Sequence, residues 1–449
     1  MGKIVKGKCI DISNEGKGVV KLGKDILFCD GLFPGEEADI EILYQRAGVL
    51  FGKVRKLYTL SKNRIQPRCK VCTSCGGCQY QQINYQTQLE YKTKRVKDSL
   101  ERIGGFKGIK VNPCIGAKNP YNYRNKIQVP FGKDRNGRIV FGFFKENSHE
   151  IIPVKECQIE DKRASSILWS IKELIESMKI SIYNENSGKG TLRYVLIRTS
   201  YHYDELMVVL VTTEMNFKGQ NNFVKALTEK HPEITTVVEN VNPRHTNVIL
   251  GTKEKVLYGP GHIKDSILGL TFNISASSFY QVNPEQVEIL YKTALDLVDF
   301  NKKEIVLDAY SGVGAIGLIA SKNAKYVYSV EINKDAHKNA KENAKRNGVS
   351  NIEFVCDDAG KYISTLENNH LDIVIMDPPR KGSDTKFLDV LINKKIKKVI
   401  YVSCDPETLA RDLKYLSGYY DVYYVQPVDM FPQTSHVETV CALTLKKQR

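Results

Sequence analysis

Cys404 closes an apolar run, Lys398-Val399-Ile400-Tyr401-Val402-Ser403, and is followed by Asp405-Pro406. The run reads as a buried strand. Asp405-Pro406 reads as a helix N-cap with proline at the first helical position. A thiol at that junction lies in the positive field of the helix N-terminus, which favours thiolate and makes Cys404 a candidate nucleophile. The alternative is a buried structural cysteine. Near the C-terminus, His436-Val437-Glu438-Thr439-Val440 leads into the apolar run Cys441 to Leu445. If that last strand runs antiparallel to its neighbour, Glu438 starts it at the edge where Cys404 ends its own. A carboxylate there is a candidate general base.

A second set of residues has the pattern of a nucleotide-type cofactor site. The run Asp308 to Gly317 carries Gly312, Gly314 and Gly317 in G-x-G-x-x-G spacing, which permits a tight turn and close approach of a ligand to the backbone. The next strand ends at Glu331, placed to accept from a ribose diol. A third runs into Asp357-Asp358, with Asp358 placed for an adenine amino group, and a fourth ends Asp377-Pro378-Pro379-Arg380. The glycines alone fit a dinucleotide-dependent oxidoreductase equally well. Cys404 and Glu438 add what that reading leaves unexplained. Carbon 5 of uracil becomes nucleophilic only when a thiolate adds at carbon 6, and a base must afterwards remove the carbon 5 proton. A cysteine, a sulfonium methyl donor and a carboxylate around one flipped base satisfy that need. An amino-methyltransferase is a further alternative, but such enzymes usually stack the base on an aromatic residue after Pro-Pro, where this chain has Arg380.

The elements that must position these residues have an α/β rhythm. From about Leu270, short buried strands alternate with helices, which predicts a doubly wound parallel sheet that binds ligands at its carboxyl edge. Before it, strand-like runs at 126–131, 139–144, 192–201, 206–213 and 234–241 mix with two helical segments, as in an α+β domain. Gln86 to Ile103 predicts an exposed, basic helix closed by Gly104-Gly105. Residues 1–58 predict five short strands with polar turns, a small OB-like barrel suited to single-stranded nucleic acid. Three domains are expected: residues 1–60, 61–265 and 266–449. The formal charge of +15 fits a polyanionic partner. No apolar run of spanning length and no signal-peptide core appear, so no membrane association and a cytoplasmic location are expected. Four of the eleven cysteines, Cys69, Cys72, Cys75 and Cys78, fall within ten residues, the clustering of a metal or cluster site rather than of disulfides.

On these motifs the chain resembles the RNA uracil-5-methyltransferase family, particularly its 23S ribosomal RNA branch, over nearly its whole length. Ser403-Cys404-Asp405-Pro406 is similar to the family's nucleophile motif, and His436 to Val440 to its base motif. Phe279-Tyr280-Gln281-Val282-Asn283 is similar to a segment whose glutamine contacts the cofactor. The resemblance implies a Rossmann-like class I domain binding S-adenosylmethionine through Gln281, Tyr310, Glu331 and Asp377, besides the glycine turn at Gly312 and Gly314. It also implies a TRAM barrel and a [4Fe-4S] cluster on Cys69, Cys75, Cys78 and Cys157, with Cys72 a competing fourth ligand and zinc the alternative metal. The expected partner is 23S ribosomal RNA, bound by a monomer. The tRNA branch typically lacks both barrel and cluster. A non-catalytic RNA-binding protein is the remaining alternative.

Overall fold

In a computed structural model, which describes residues 2–145, 148–246 and 248–447, the five N-terminal strands Ile4–Ile12, Gly18–Leu22, Asp25–Asp30, Glu37–Arg46 and Val49–Thr59 close into a barrel. Alternation along each strand turns Cys9, Val20, Leu27, Cys29, Ala38 and Ile40 inward, and all are buried. Gly18 is needed for closure, since a Cβ there would meet the Leu32 carbonyl oxygen at 2.3 Å. Glu36, fully buried, fastens the barrel to the following segment by accepting from Phe33 N, Ser61 N and Arg64.

A seven-stranded sheet follows, in the order Lys253–Tyr258, Ile234–Val241, Leu206–Thr212, Leu192–Thr199, Lys126–Lys133, Ile139–Phe144, Ile151–Pro153. Its central strands, Leu192–Thr199 and Leu206–Thr212, are buried at every residue. The reason is a cover on both faces. Helices Lys162–Ser177 and Gln220–Lys230 pack on one through Ile167, Ile171, Phe223 and Leu227. The C-terminal unit packs on the other, where Leu196, Met207 and Val209 share a core with Ile263, Phe272 and Tyr280.

The C-terminal sheet has the order Ile352–Val355, Tyr326–Val330, Ile305–Ala309, Ile373–Met376, Lys398–Ser403, Glu438–Leu445, Tyr420–Val428. The first five strands are parallel and Glu438–Leu445 is antiparallel, as expected of a Rossmann-like domain with an added final strand. The strand order reverses between Ile305–Ala309 and Ile373–Met376, which opens a crevice at their carboxyl ends.

Three departures from the sequence expectation bear on the site. Helix Tyr85–Arg102 is not an exposed helix: Gln88, Lys92, Val96 and Leu100 are buried, and it packs on helix Pro406–Leu416. Its hidden face is mostly polar, so hydropathy gave no sign of burial. Strand Tyr420–Val428 was not anticipated, because its tyrosines, Asp421 and Pro427 break the apolar run. The hairpin His262–Ile267 and Leu270–Ser275 was also missed, and the 265/266 boundary cuts its first strand.

Candidate active site

Register brings the catalytic candidates to one edge. Ser403 pairs with Thr439 and Val428 with Glu438, so Cys404 leaves one strand where Glu438 enters the next. Asp405 caps helix Pro406–Leu416 by accepting from Thr408 N at 2.9 Å. Cys404 is half-buried and Glu438 is 6% exposed. The thiol does not behave as the helix terminus alone would dictate. Burial pushes Cys404 up to about 12, and the nearby Glu438, Asp377 and Asp405 carboxylates add to the effect. Desolvation and like charge outweigh the terminal field here, correcting the expectation of a ready thiolate. Burial also raises Asp377 to about 7, and burial with the neighbouring Asp377 raises Glu438 to about 8. The resting site thus retains protons near neutrality.

The glycine turn lies at the same carboxyl edge, two strands from Cys404 across the strand that leads into Asp377. Tyr310, Gly312 and Gly314 have φ of 61°, 55° and 78°. A left-handed tyrosine is strained, and such strain persists where surrounding contacts fix it. Here the Tyr310 hydroxyl lies 3.1 Å from Ser383 Oγ and its ring packs on Phe387. Glu331 accepts from Gly312 N at 2.9 Å and from Asn333 N at 2.7 Å, which orients its carboxylate and leaves lone pairs on both oxygens. Asp308 accepts from Gly317 N at 2.8 Å through Oδ2, while its Oδ1 and Ser311 Oγ are buried without a partner. Polar atoms orphaned beside a glycine turn fit a polar ligand such as S-adenosylmethionine. Asp358 caps helix Ala359–Thr365, accepting from Lys361 N at 2.9 Å. Gln281 hydrogen-bonds Tyr291, a buried tyrosine on which Asp377, Asp308 and Glu438 also act. Its segment is held from the central sheet: Asn125 donates to Gln281 O at 3.1 Å and Arg198 to Ala276 O at 3.1 Å.

Several residues that hold the site were missed by sequence reasoning. Asn125, Lys92, Arg95 and Asp429 are single polar residues in unremarkable contexts, and no motif marks them. Beyond Cys404, a cleft of about 870 Å³ runs between the barrel, the cysteine loop and the catalytic mouth. Lys53, Arg55, Arg64, Arg95 and Arg380 line it, with Asp405 and His436 at the mouth.

The cysteine loop forms a short helix, Cys72–Cys75, ended by Gly76 at φ 70°. Cys157, distant in sequence, comes near enough that Cys78 raises its proton affinity, while Cys69, Cys72 and Cys75 act likewise on Cys78. Among the described residues no three Cys, His, Asp or Glu side chains are grouped to hold a metal ion. Four thiols suit iron–sulfur and zinc centres, but here the buried Glu160 carboxyl also hydrogen-bonds Cys157 and acts on Cys75.

Residues 84–448 match the sequence model of a family described as tRNA (Uracil-5-)-methyltransferase. An uncharacterized RNA methyltransferase of Halalkalibacterium halodurans is 42% identical over 439 residues, covering 97% of this chain and 96% of its own. One from Bacillus cereus is 43% identical over 437 residues, covering 97% and 95%. Among solved structures, the Pyrococcus abyssi tRNA (uracil-54, C5)-methyltransferase in complex with S-adenosyl-L-homocysteine superposes with a TM-score of 0.79 at 29% identity. It covers 98% of this chain and 100% of its own, so a barrel does not by itself set a ribosomal branch apart from one acting on tRNA. In sequence and in fold, the chain belongs to the tRNA (uracil-5-)-methyltransferase family, which are S-adenosylmethionine-dependent RNA methyltransferases.

Proposed function

We propose that the protein methylates carbon 5 of a uridine in 23S ribosomal RNA, with Cys404 as covalent nucleophile and Glu438 as the base. The observation that carries this reading is the meeting of Cys404, Glu438 and Asp377 at one buried sheet edge beside the glycine turn. Cys404 passes its thiol proton to Asp377, a second carboxylate within electrostatic reach, which leaves Glu438 ionised for the later step. Its sulfur then bonds carbon 6 of the uracil, and the ring electrons move to make carbon 5 nucleophilic. S-adenosylmethionine, when bound by Gln281, Tyr310, Gly312, Gly314, Glu331, Asp358 and Asp377, supplies an electrophilic methyl group. Positive charge brought beside Asp377 and Glu438 favours their ionised forms, which readies the base. Glu438 takes the carbon 5 proton, the carbon–sulfur bond breaks, and the Cys404 thiolate is regenerated. One proton is released per methyl transferred. Residues 1–60 would act as an RNA-binding TRAM barrel, and Cys69, Cys75, Cys78 and Cys157 would hold a [4Fe-4S] cluster that orders the loop beside the cleft.

A second reading, tRNA as substrate, is favoured by the full-length likeness to the Pyrococcus enzyme. Isotopically labelled S-adenosylmethionine, offered with unmodified ribosomal RNA and tRNA separately, decides between them. Label in 5-methyluridine from ribosomal RNA is expected. Label from tRNA alone would keep the chemistry and overturn the substrate. No label in either would remove the enzymatic reading. Anaerobically purified protein is expected to be brown, and a colourless, zinc-loaded protein would overturn the cluster.

A further inference from the structure

Helix Tyr85–Arg102 lies outside the catalytic sheet, yet one of its faces grips the loop that delivers Glu438. The loop runs from Asp429 to Val437, between strands Tyr420–Val428 and Glu438–Leu445. Lys92 pairs with Asp429, both side chains fully buried, and donates to Phe431 O at 3.1 Å. Tyr85 donates its hydroxyl to Asp429 at 2.9 Å. Gln88 exchanges two hydrogen bonds with Gln433, each 3.1 Å, where the loop turns through φ 72°. Arg95 donates to Ser435 O at 3.0 Å, three residues before Glu438.

Arg95 differs from the others in what else it holds. Its Nε and Nη2 donate to the Glu407 carboxylate at 3.1 and 2.7 Å. Glu407 lies in the first turn of the helix that begins just after Cys404. One planar guanidinium therefore joins the element following the nucleophile to the segment preceding the base. A guanidinium can do this because its donors diverge in a rigid fork; an ammonium cannot reproduce the geometry. The Arg95 side chain is 14% exposed, and three of its donor bonds are already committed. That favours a fixed strut over a ligand for RNA phosphate.

Building on the Cys404 and Glu438 assignment above, we propose that Arg95 is a positioning residue that clamps nucleophile and base into one unit by bridging Glu407 and the Ser435 carbonyl. The pair then keeps its spacing through addition and proton removal, although two separate elements carry it.

The test uses the full chain with Arg95→Met, Arg95→Lys, Glu407→Gln and the Arg95→Met/Glu407→Gln double variant. Single-turnover methyl transfer is expected to slow by on the order of 10- to 100-fold in Arg95→Met. KM for RNA and calorimetric affinity for S-adenosylmethionine should stay near wild type. Arg95→Lys should share the defect, and the double variant should be no slower than the worse single one, because both remove the same bridge. A raised KM for RNA with unchanged single-turnover rate, restored by Arg95→Lys, would make Arg95 a phosphate ligand and overturn the proposal. A lowered melting temperature with full activity well below it would overturn it too. If Arg95→Met fails to fold, Glu407→Gln carries the same kinetic prediction. Glu438→Gln is assayed alongside on the same RNA. If that variant turns over normally and traps no adduct, the base assignment itself fails. If it behaves as assigned and Arg95→Met stays fast, only the clamp fails.

Discussion

Cys404 and Glu438 occupy positions where ionisation is costly, and that sets their behaviour. On the proposed mechanism, Glu438→Gln removes the acceptor of the carbon 5 proton while leaving Cys404 in place. A covalent RNA–protein adduct is therefore expected to accumulate, seen as a slow band on a denaturing gel, with turnover lost. Normal turnover without a trapped adduct would take Glu438 out of the chemistry. The pH dependence has a definite sign. Asp377 and Glu438 hold their protons up to about 7 and about 8, and the proposed mechanism needs Glu438 ionised. Hence kcat/KM, which reports the free enzyme, should fall as pH drops through 8 toward 6 and level off above about 8. A profile flat from about pH 6 to 9 would exclude a buried carboxyl as the working base.

The elements that carry these residues depend on a buried polar interface. Helix Tyr85–Arg102 contributes Tyr85, Gln88, Lys92 and Arg95, and each meets a partner on the 429–437 loop. Lys92 and Asp429 are each fully buried, so a change to one strands the other's charge away from water. Lys92→Met is expected to cost about 3–5 kcal/mol, measured by chemical denaturation. Lys92→Met/Asp429→Asn should recover part of that loss, because no lone charge is then buried. A Lys92→Met protein as stable as wild type would show that water reaches Asp429. The same interface explains why the catalytic sheet and residues 85–117 act together: Ile115 bonds strand Tyr420–Val428 on one side and Asp429 N on the other.

At the scale of the whole molecule, which carries a net charge of +15, Lys53, Arg55, Arg64, Arg95 and Arg380 line the 870 Å³ cleft between the barrel and the cysteine loop. Some of its cations are already paired, Arg64 with Glu36 and Arg95 with Glu407, so not every charge is available to RNA. Binding of RNA should weaken steeply with salt, and Lys53→Ala should lower the slope of log K against log salt by about 1 without changing which uridine is methylated. An unchanged slope would move the RNA path away from the cleft. Among the described residues no helix is long and apolar enough to cross a membrane.

The strand-end placement of the candidate residues was legible without the fold. Cys404 before Asp-Pro, the glycine turn with Glu331, and Asp377 before Pro-Pro follow local rules, because strand, turn and N-cap are set by neighbouring residues. The barrel and the parallel sheet were legible for the same reason, their periodicity and turn residues being local signals. What tertiary structure alone decided is how these pieces are held and charged. Desolvation depends on which elements come to lie over a group, so Cys404 is a protonated thiol at rest despite its helix terminus. A polar residue buried against a carbonyl looks in sequence like a solvated one. That is why Lys92 and Arg95 read as an exposed basic face and proved to be the hidden side of the helix.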